Sequence, residues 1–268
     1  IPLRLVGSEM CIRDRWNGSR WSAVGAGMSA SVRALSFDAS GNLFAGGDFT
    51  TAGGNSANKI AKWNGTSWSA LGSGMNNTVN VIAFDASGTL YAGGAFTTAD
   101  VATVNRIAKW NGSAWSGLAD GMDSTVRALA FDSSSLYAGG DFAASGLTTV
   151  NYLAKWNGSA WSAFGVGMTS SVYALTFDGS GNLYVGGNFT KADVTPANRI
   201  AKWNGSTWSA LGGGMNSTVY AISFDSAGNL YAGGGFNAVG GISGVNYVAK
   251  WNGSAWSTVS YTHLTLPT

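Results

Sequence analysis

The sequence has little of the chemistry on which most active sites depend. Among its 268 residues there is one cysteine, one histidine and one glutamate, namely Cys11, His263 and Glu9, and all three lie near an end of the chain. A single cysteine excludes an internal disulfide framework. The long stretch without histidine or cysteine argues against a serine or cysteine nucleophile activated by a histidine base. We therefore expect no catalytic residue, no metal site and no cofactor.

Charge is also scarce. Charged residues make up 10% of the chain and the net charge is +2, whereas ordinary proteins contain about 25% charged residues. Such a chain has no basic field that would attract nucleic acid, and no apolar run approaches the roughly 18 residues of a membrane-spanning helix. Nucleic-acid binding and membrane insertion are therefore not expected. Glycine is abundant instead, at 40 residues, and this favours turns and strands.

A tandem repeat occupies most of the chain. The tripeptide Trp-Asn-Gly recurs every 46 to 48 residues, and a second tryptophan follows five residues after each first one. The first tryptophans are Trp16, Trp63, Trp110, Trp156, Trp203 and Trp251. Six pairs account for all 12 tryptophans, so none is left for a separate aromatic site.

One copy of the repeat predicts four short strands. Residues 79–84 and 90–96 form β-prone runs separated by a turn cluster, and residues 105–110 and 115–118 flank Asn111-Gly112, a strong hairpin signal. We name these strands a to d. Small antiparallel sheets repeated in tandem, without a helical period, predict an all-β fold of the β-propeller type.

Counting the copies gives five complete blades and one half blade. Strands c and d are expected at 16–24, and full sets at roughly 32–71, 79–118, 126–164, 172–211 and 219–259. We expect a single propeller domain over 16–258, whose double glycines let neighbouring sheets approach and whose tryptophan pairs fill the outer space between blades. The number of blades in the intact protein stays open.

Both ends break the repeat. Residues 1–15 and 259–268 resemble translated sequencing-adapter read-through, and we expect them to be non-native flanks of a fragment. A signal peptide is the alternative for residues 1–15, but that segment lacks an uninterrupted apolar region and contains several charges.

The residues resemble a known family of repeats. The phrases Val-x-Ala-Leu-x-Phe and Leu-Tyr-Ala-Gly-Gly, followed by two aromatics, come in the order of a kelch repeat, although the first aromatic is Trp rather than Tyr. Gly-Gly-Asp-Phe-Thr at 46–50 and Trp-Ser-Ala-Leu-Gly-x-Gly-Met are similar to bacterial kelch-like surface repeats and to cortical cell-polarity marker proteins. The resemblance implies a propeller with a binding or scaffolding role, but propellers host many activities.

Two recurring charged positions have structural interpretations. An aspartate opens each a-to-b turn, at Asp38, Asp85, Asp132, Asp178 and Asp225, where its side chain can cap its own backbone. A lysine precedes five of the first tryptophans, at Lys62, Lys109, Lys155, Lys202 and Lys250. We interpret the lysines as links within a blade, to an aromatic ring or a turn aspartate. A calcium site and an anion-binding ring are the alternatives.

Variation between copies indicates the candidate site. The b-to-c loops and the residue after each double glycine differ between copies, and in an up-and-down blade the b-to-c and d-to-a connections share one face. The candidate ligand-binding residues on this face are Asp48, Lys59, Arg106, Asp141, Asn188 and Arg199. A protein or a glycan is the expected partner, and neutral drift in exposed loops is the alternative.

These observations favour a non-enzymatic interaction or adhesion module of a bacterial secreted or surface protein, located outside the cell or on its surface. A lectin-like propeller is the first alternative, in which exposed aromatics stack on sugars, and burial of the tryptophans would argue against it. A glycoside-processing propeller is the second, and it would require a pair of aspartates in a central pocket.

Overall fold

The computed structural model describes residues 14–16 and 21–259, and these residues form β-strands and turns without any helix. The expected flanks, 1–15 and 259–268, fall outside the described residues except for Asp14, Arg15 and Val259. Within the described part of the chain, no helix is long and apolar enough to cross a membrane. The chain divides into two compact units, Ile1–Leu129 and Ala130–Thr268.

The first unit contains a half blade and two complete blades. The half blade is β1 (Asp14–Trp16) and β2 (Trp21–Ala23). Blade 1 is β3 (Val32–Phe37), β4 (Leu43–Gly47), β5 (Thr51–Ala52), β6 (Asn55–Ser56), β7 (Ile60–Trp63) and β8 (Trp68–Ala70). Blade 2 is β9 (Val79–Phe84), β10 (Leu90–Gly94), β11 (Thr98–Ala99), β12 (Ala102–Thr103), β13 (Ile107–Trp110) and β14 (Trp115–Gly117).

The chain continues with three further blades. Blade 3, which begins at the end of the first unit, is β15 (Val126–Phe131), β16 (Leu136–Gly140), β17 (Ala144–Ser145), β18 (Thr148–Thr149), β19 (Leu153–Trp156) and β20 (Trp161–Ala163). Blade 4 is β21 (Val172–Phe177), β22 (Leu183–Gly187), β23 (Lys191–Ala192), β24 (Thr195–Pro196), β25 (Ile200–Trp203) and β26 (Trp208–Ala210). Blade 5 is β27 (Val219–Phe224), β28 (Leu230–Gly234), β29 (Ala238–Val239), β30 (Ile242–Ser243), β31 (Val248–Trp251) and β32 (Trp256–Thr258).

Every complete blade has the predicted order of four strands. In blade 1 the sheet order is β3-β4-β7-β8, and the same a-b-c-d order recurs in the other four. The described strand pairs are antiparallel, for example Leu43 opposite Trp63 and Trp63 opposite Trp68. The predicted all-β fold with five blades and a half blade is therefore confirmed. The short hairpins within the b-to-c loops, β5–β6 and its equivalents, were not predicted.

The two glycines of each double glycine have different roles. A Cβ on Gly46 would lie 2.5 Å from Cγ1 of Val79 in the next blade, so the first glycine allows close stacking of sheets, as predicted. A Cβ on Gly47 would lie 2.1 Å from the Ser31 carbonyl oxygen of its own blade. There strand a contains a bulge between Val32 and Ala34, and only a residue without a side chain fits beside it.

The core lies between stacked sheets within each unit. The phenylalanine that follows each double glycine by two positions is fully buried. These residues are Phe49, Phe96, Phe142, Phe189 and Phe236. Each fixes the start of a b-to-c loop, because exposing a buried phenylalanine side chain to water would lose about 1.5–3 kcal/mol of stabilisation.

The tryptophan pairs pack between blades, as predicted. In blade 1 the ring centroids of Trp63 and Trp68 are 5.4 Å apart, and Trp68 is buried while Trp63 is half-buried. The indole N–H of Trp68 donates to the carbonyl oxygen of Val24 in the preceding half blade, at 3.0 Å. Trp115 donates in the same way to Leu71 and Trp256 to Leu211. The second tryptophan of a pair therefore links two blades.

Candidate functional site

In each described blade, hydrogen bonds hold the d-to-a connection against the b-to-c loop. The hydroxyl of Ser29 accepts from the backbone N–H groups of Thr50 and Thr51, both at 3.0 Å. In the second unit, the side-chain oxygen of Asn216 accepts from the N–H groups of Asn237 and Ala238, both at 3.1 Å. Within each unit, we use the term loop face for the surface formed by the d-to-a connections and the b-to-c loops. Because hydrogen bonds between side chains and backbone fix the loop face at each blade, it is a rigid platform.

Asp48 is the polar centre of the loop face in the first unit. Its carboxylate accepts from Thr78 Oγ1 at 2.6 Å and lies 2.8 Å from the Arg33 guanidinium, while Lys59 Nζ donates to its backbone carbonyl at 2.8 Å. The structure thus brings together two predicted site residues, Asp48 and Lys59. Because Thr78 belongs to the next blade, Asp48 also links blades 1 and 2.

Burial alone would raise the pKa of the Asp48 carboxyl. The hydrogen bonds from Thr78 and Arg33, together with the positive charges of Arg33 and Lys59, outweigh burial and hold that pKa below its ordinary 3.8. Asp48 is therefore a carboxylate at neutral pH. It can orient the exposed Arg33 side chain.

Three predicted residues open strand c in an unusual backbone conformation. Lys59, Arg106 and Arg199 have φ values of 66°, 71° and 69°, in the left-handed region that costs an L-residue about 1–2 kcal/mol. Tyr152 and Tyr247 occupy the same position in the other blades, with φ of 71° and 63°. The turn requires this conformation in every copy, so the side chain there can vary without altering the fold.

Arg199 makes few of the contacts available to its guanidinium. Nη1 donates to the Phe189 carbonyl at 3.2 Å. Among the described residues, Arg199 Nε is the buried side-chain nitrogen without a hydrogen-bond partner. An unpaired buried donor costs about 1–3 kcal/mol. The contacts within the protein therefore do not satisfy all the hydrogen-bond donors of Arg199.

Asn188 and Asp141 occupy the position of Asp48 in blades 4 and 3. Asn188 is exposed, and its side-chain oxygen accepts from Thr218 Oγ1 of blade 5 at 3.1 Å. This repeats the Asp48–Thr78 link between blades. Asp141 is half-buried. The six predicted residues therefore lie on the loop faces of the two units, and Asp48 and Asn188 have a structural role there as well.

The sequence interpretation missed the second residue of strand a. This position reads Arg33, Asn80, Arg127, Tyr173 and Tyr220 in blades 1 to 5, whereas the first and last residues of strand a are Val and Phe in all five. Tyr220 is 57% exposed, and its ring meets that of Tyr173 edge to face, with centroids 5.4 Å apart. The variation between copies was the signal that could have identified it.

The loop face of the second unit thus displays two tyrosines beside polar groups. A Cβ on Gly235 would lie 3.8 Å from Tyr220 Cε2, which places Tyr220 beside the residue that follows the double glycine. Gly235 N donates to the Thr218 carbonyl at 2.9 Å. Tyrosine is enriched at protein–protein interfaces and among the residues that contribute most to binding energy.

The recurring aspartates and lysines have the structural surroundings expected for them. Asp178 Oδ1 accepts from the backbone N–H groups of Ser180 and Asn182, both at 2.9 Å, and Lys202 Nζ lies 3.9 Å from Asp178 and over the Tyr184 ring. The described residues include no group of three or more His, Cys, Asp or Glu side chains arranged to hold a metal.

Sequence comparison identifies a family. The model described as the Rax2 C-terminal beta propeller domain matches residues 19–177 and 116–266. No curated protein matches the chain.

Solved structures share the fold at low sequence identity. The computationally designed Ika8 protein aligns with a TM-score of 0.55 and 16% identity, over 86% of this chain and 61% of that one. The extracellular domain of the hybrid two-component system BT4673 from B. thetaiotaomicron gives a TM-score of 0.55 and 14% identity, over 81% and 28%. A chain of the Mitotic Checkpoint Complex gives 0.55 and 15%, over 84% and 62%. This chain therefore spans less than two thirds of each of these structures.

Proposed function

We propose that this chain, which belongs to the family of Rax2 C-terminal β-propeller domains, is a non-enzymatic interaction module that binds a protein through the loop face of its second unit. The observation that carries the proposal is the pair formed by the exposed Tyr220 and the half-buried Tyr173, on a platform fixed by hydrogen bonds. Tyrosine is enriched among the residues that contribute most to protein–protein binding energy.

The absence of enzymatic activity is part of the proposal. Within the repeat the sequence has no histidine, cysteine or glutamate. The turn aspartates accept hydrogen bonds that hold their pKa below the ordinary 3.8, against the raising effect of burial for Asp132 and Asp178. A glycoside-processing propeller needs one carboxyl with a raised pKa, and these side chains have the opposite shift.

Location outside the cell and a kelch-like repeat type also belong to the proposal. The order of strand motifs, with the double glycine at the end of strand b, supports the kelch-like type. A bacterial secreted or surface protein is the setting we propose. Few charges and no cysteine within the repeat agree with such a setting.

A phage-displayed peptide library selected on the wild-type chain tests the loop-face site. We expect the selected peptides to bind the Tyr173→Ser/Tyr220→Ser double variant about tenfold or more weakly, a loss of about 1.4 kcal/mol. The matched control is Phe37→Ser, since Phe37 is an aromatic whose exposure, 66%, is comparable to the 57% of Tyr220, and it lies at the opposite end of strand a in blade 1. Peptides that bind the tyrosine variant as tightly as the wild type would overturn the proposal.

A glycan partner is the second candidate. The second tryptophans with described side chains, such as Trp68 and Trp115, are buried and offer no stacking surface. Among the first tryptophans, Trp156 is buried as well, whereas others, such as Trp110 and Trp203, are half-buried. A partly exposed indole next to hydroxyl groups suits a sugar ring. A glycan array probed with the wild type and the tyrosine double variant tests this candidate. A glycan that binds both proteins equally would support a sugar site at the tryptophans, and no bound glycan would contradict it.

A further inference from the structure

Blade 3 contains a recurring arrangement of three side chains at its a-to-b turn. Tyr137, on strand b, donates its hydroxyl to Oδ2 of the turn residue Asp132 at 2.7 Å. Lys155 Nζ lies 3.9 Å from the same carboxylate and 5.2 Å from the centroid of the Tyr137 ring. The ring edge packs on Phe177 of the next blade, with centroids 5.1 Å apart.

Blade 1 has the same arrangement without the hydroxyl. Phe44 stands where the other four blades have tyrosine. Lys62 Nζ lies 5.3 Å from the Phe44 ring centroid and 3.8 Å from Asp38 Oδ2, and the Phe44 ring is 5.1 Å from that of Phe84. The distances match those of blade 3 to within a few tenths of an ångström. The turn of blade 3 is one residue shorter and lacks the asparagine that donates to Asp38 Oδ2 in blade 1.

Asp38 has no tyrosine O–H beside it, because Phe44 occupies the position that Tyr137 has in blade 3. In blades 4 and 5, as in blade 1, an asparagine side chain donates to Oδ2 of the turn aspartate. Its Oδ1 accepts from the N–H groups of Ser40 and Asn42, and its Oδ2 accepts from the Asn42 side chain at 2.7 Å. A carboxylate oxygen can accept more than one hydrogen bond. The Asp38 side chain is 18% exposed, so a hydroxyl group from outside the protein can reach it.

A pocket of about 430 Å³ opens at this place, between blades 1 and 2 of the first unit. Small-molecule sites usually measure about 300–1,000 Å³ and combine aromatic walls with a few polar groups. Phe44, Phe84 and the half-buried Trp110 supply aromatic surface. Asp38 and Lys62 supply an acceptor and a donor, and Ser87 and Thr89 from the next a-to-b turn add hydroxyl groups.

We propose that this pocket binds a neutral pyranose sugar, one of whose hydroxyls takes the place of the absent tyrosine hydroxyl at Asp38. The Asp38 and Lys62 charges balance each other, so the pocket favours an uncharged ligand. The C–H face of a sugar ring packs on the Trp110 indole, and the other hydroxyls exchange hydrogen bonds with Lys62 and Thr89. The site lies at the a-to-b and c-to-d turns, at the opposite end of the strands from the loop face, and is independent of the protein-binding proposal.

Saturation-transfer NMR and titration calorimetry with defined sugars test the site. The probes are the methyl α- and β-glycosides of glucose, galactose and mannose, together with cellobiose, maltose and lactose. We expect at least one probe to bind at millimolar concentration. Saturation transfer to only one ring of a disaccharide would indicate that the pocket takes the end of a sugar chain. Tighter binding of a methyl glycoside than of any disaccharide would indicate that the pocket takes a monosaccharide. Glucuronate and glucosamine, which carry charge, are expected to bind more weakly than the neutral probe.

Phe44→Tyr is the decisive variant, because it restores the hydroxyl of the other blades inside the pocket. We expect its sugar affinity to fall at least tenfold while the melting temperature stays equal or rises. The matched control Tyr137→Phe removes the same atom from blade 3 and is expected to leave binding at the blade 1 pocket unchanged. Asp38→Asn keeps a turn-capping oxygen but replaces Oδ2 with a donor, and it should weaken binding, whereas Asp132→Asn should not. Unchanged affinity in Phe44→Tyr, or no binding of any neutral probe, would refute the proposal.

Discussion

At the scale of single residues, the repeat uses aspartate to fix its a-to-b turns. Asp178 accepts from two backbone N–H groups and from the Asn182 side chain. Burial alone would raise the pKa of Asp178, but these bonds and the charge of Lys202 outweigh burial and lower it. The pKa is lowered in the same way at Asp38, Asp85, Asp132 and Asp225. The repeated carboxylates therefore stabilise the folded chain only when they are ionised.

This predicts loss of stability in acid. The pKa of each of these carboxyls is lower in the folded chain than in the unfolded chain, where it is 3.8. Such a carboxyl stabilises the fold when the pH is above its unfolded pKa, and this stabilisation is lost as the pH falls through its folded pKa. We expect the free energy of unfolding, measured with urea, to decline as pH falls below about 4. Asp178→Asn should be less stable at pH 7 but should show a smaller decline. Equal declines in the variant and the wild type would contradict this role of Asp178.

At the scale of elements, the start of strand c combines a fixed backbone with a variable side chain. The N–H of Arg106 donates to the Phe96 carbonyl at 2.7 Å, and its carbonyl accepts from Gly94 at 2.9 Å. These bonds tie strands b and c together and require the left-handed φ of 71° at Arg106. Whichever side chain stands there is held at the loop face.

Two substitutions at Arg106 test this interpretation. Glycine adopts a positive φ freely, so Arg106→Gly should change the free energy of unfolding by less than about 1 kcal/mol, because relief of strain offsets the greater freedom of the unfolded chain. Arg106→Val places a β-branched residue in the left-handed region and should cost about 1–2 kcal/mol. Urea unfolding of both variants measures the difference. Equal stability of the two would mean that the backbone relaxes.

The strands were predictable from the sequence because each has a local signal. Asn111-Gly112 specifies the c-to-d hairpin, and the turn cluster after Phe84 separates strands a and b. The left-handed residues were not predictable, because lysine, arginine and tyrosine seldom adopt positive φ and long-range bonds impose it. The role of Phe44 was not predictable either, since the missing hydroxyl matters only beside Asp38 and a pocket.

At the scale of the whole molecule, each unit is built by stacking one blade on the next through the first glycine of each strand b. A Cβ on Gly139 would lie 2.4 Å from Val172 Cγ1, and one on Gly186 would lie 2.7 Å from Val219 Cγ1. Both the loop face of the second unit and the sugar pocket of the first depend on this stacking, because their residues come from adjacent blades.

The measurement that tests the stacking most directly compares Gly186→Ala with Gly233→Ala by urea unfolding. Gly233 is the equivalent glycine of blade 5, and the nearest atom to a Cβ there is 4.0 Å away. The unfolded-state effect of alanine is common to both variants. We predict a loss of about 1–3 kcal/mol for Gly186→Ala from overpacking, and a change within about 0.5 kcal/mol for Gly233→Ala. Equal stability of the two variants would contradict stacking of blade 4 on blade 5 through this glycine.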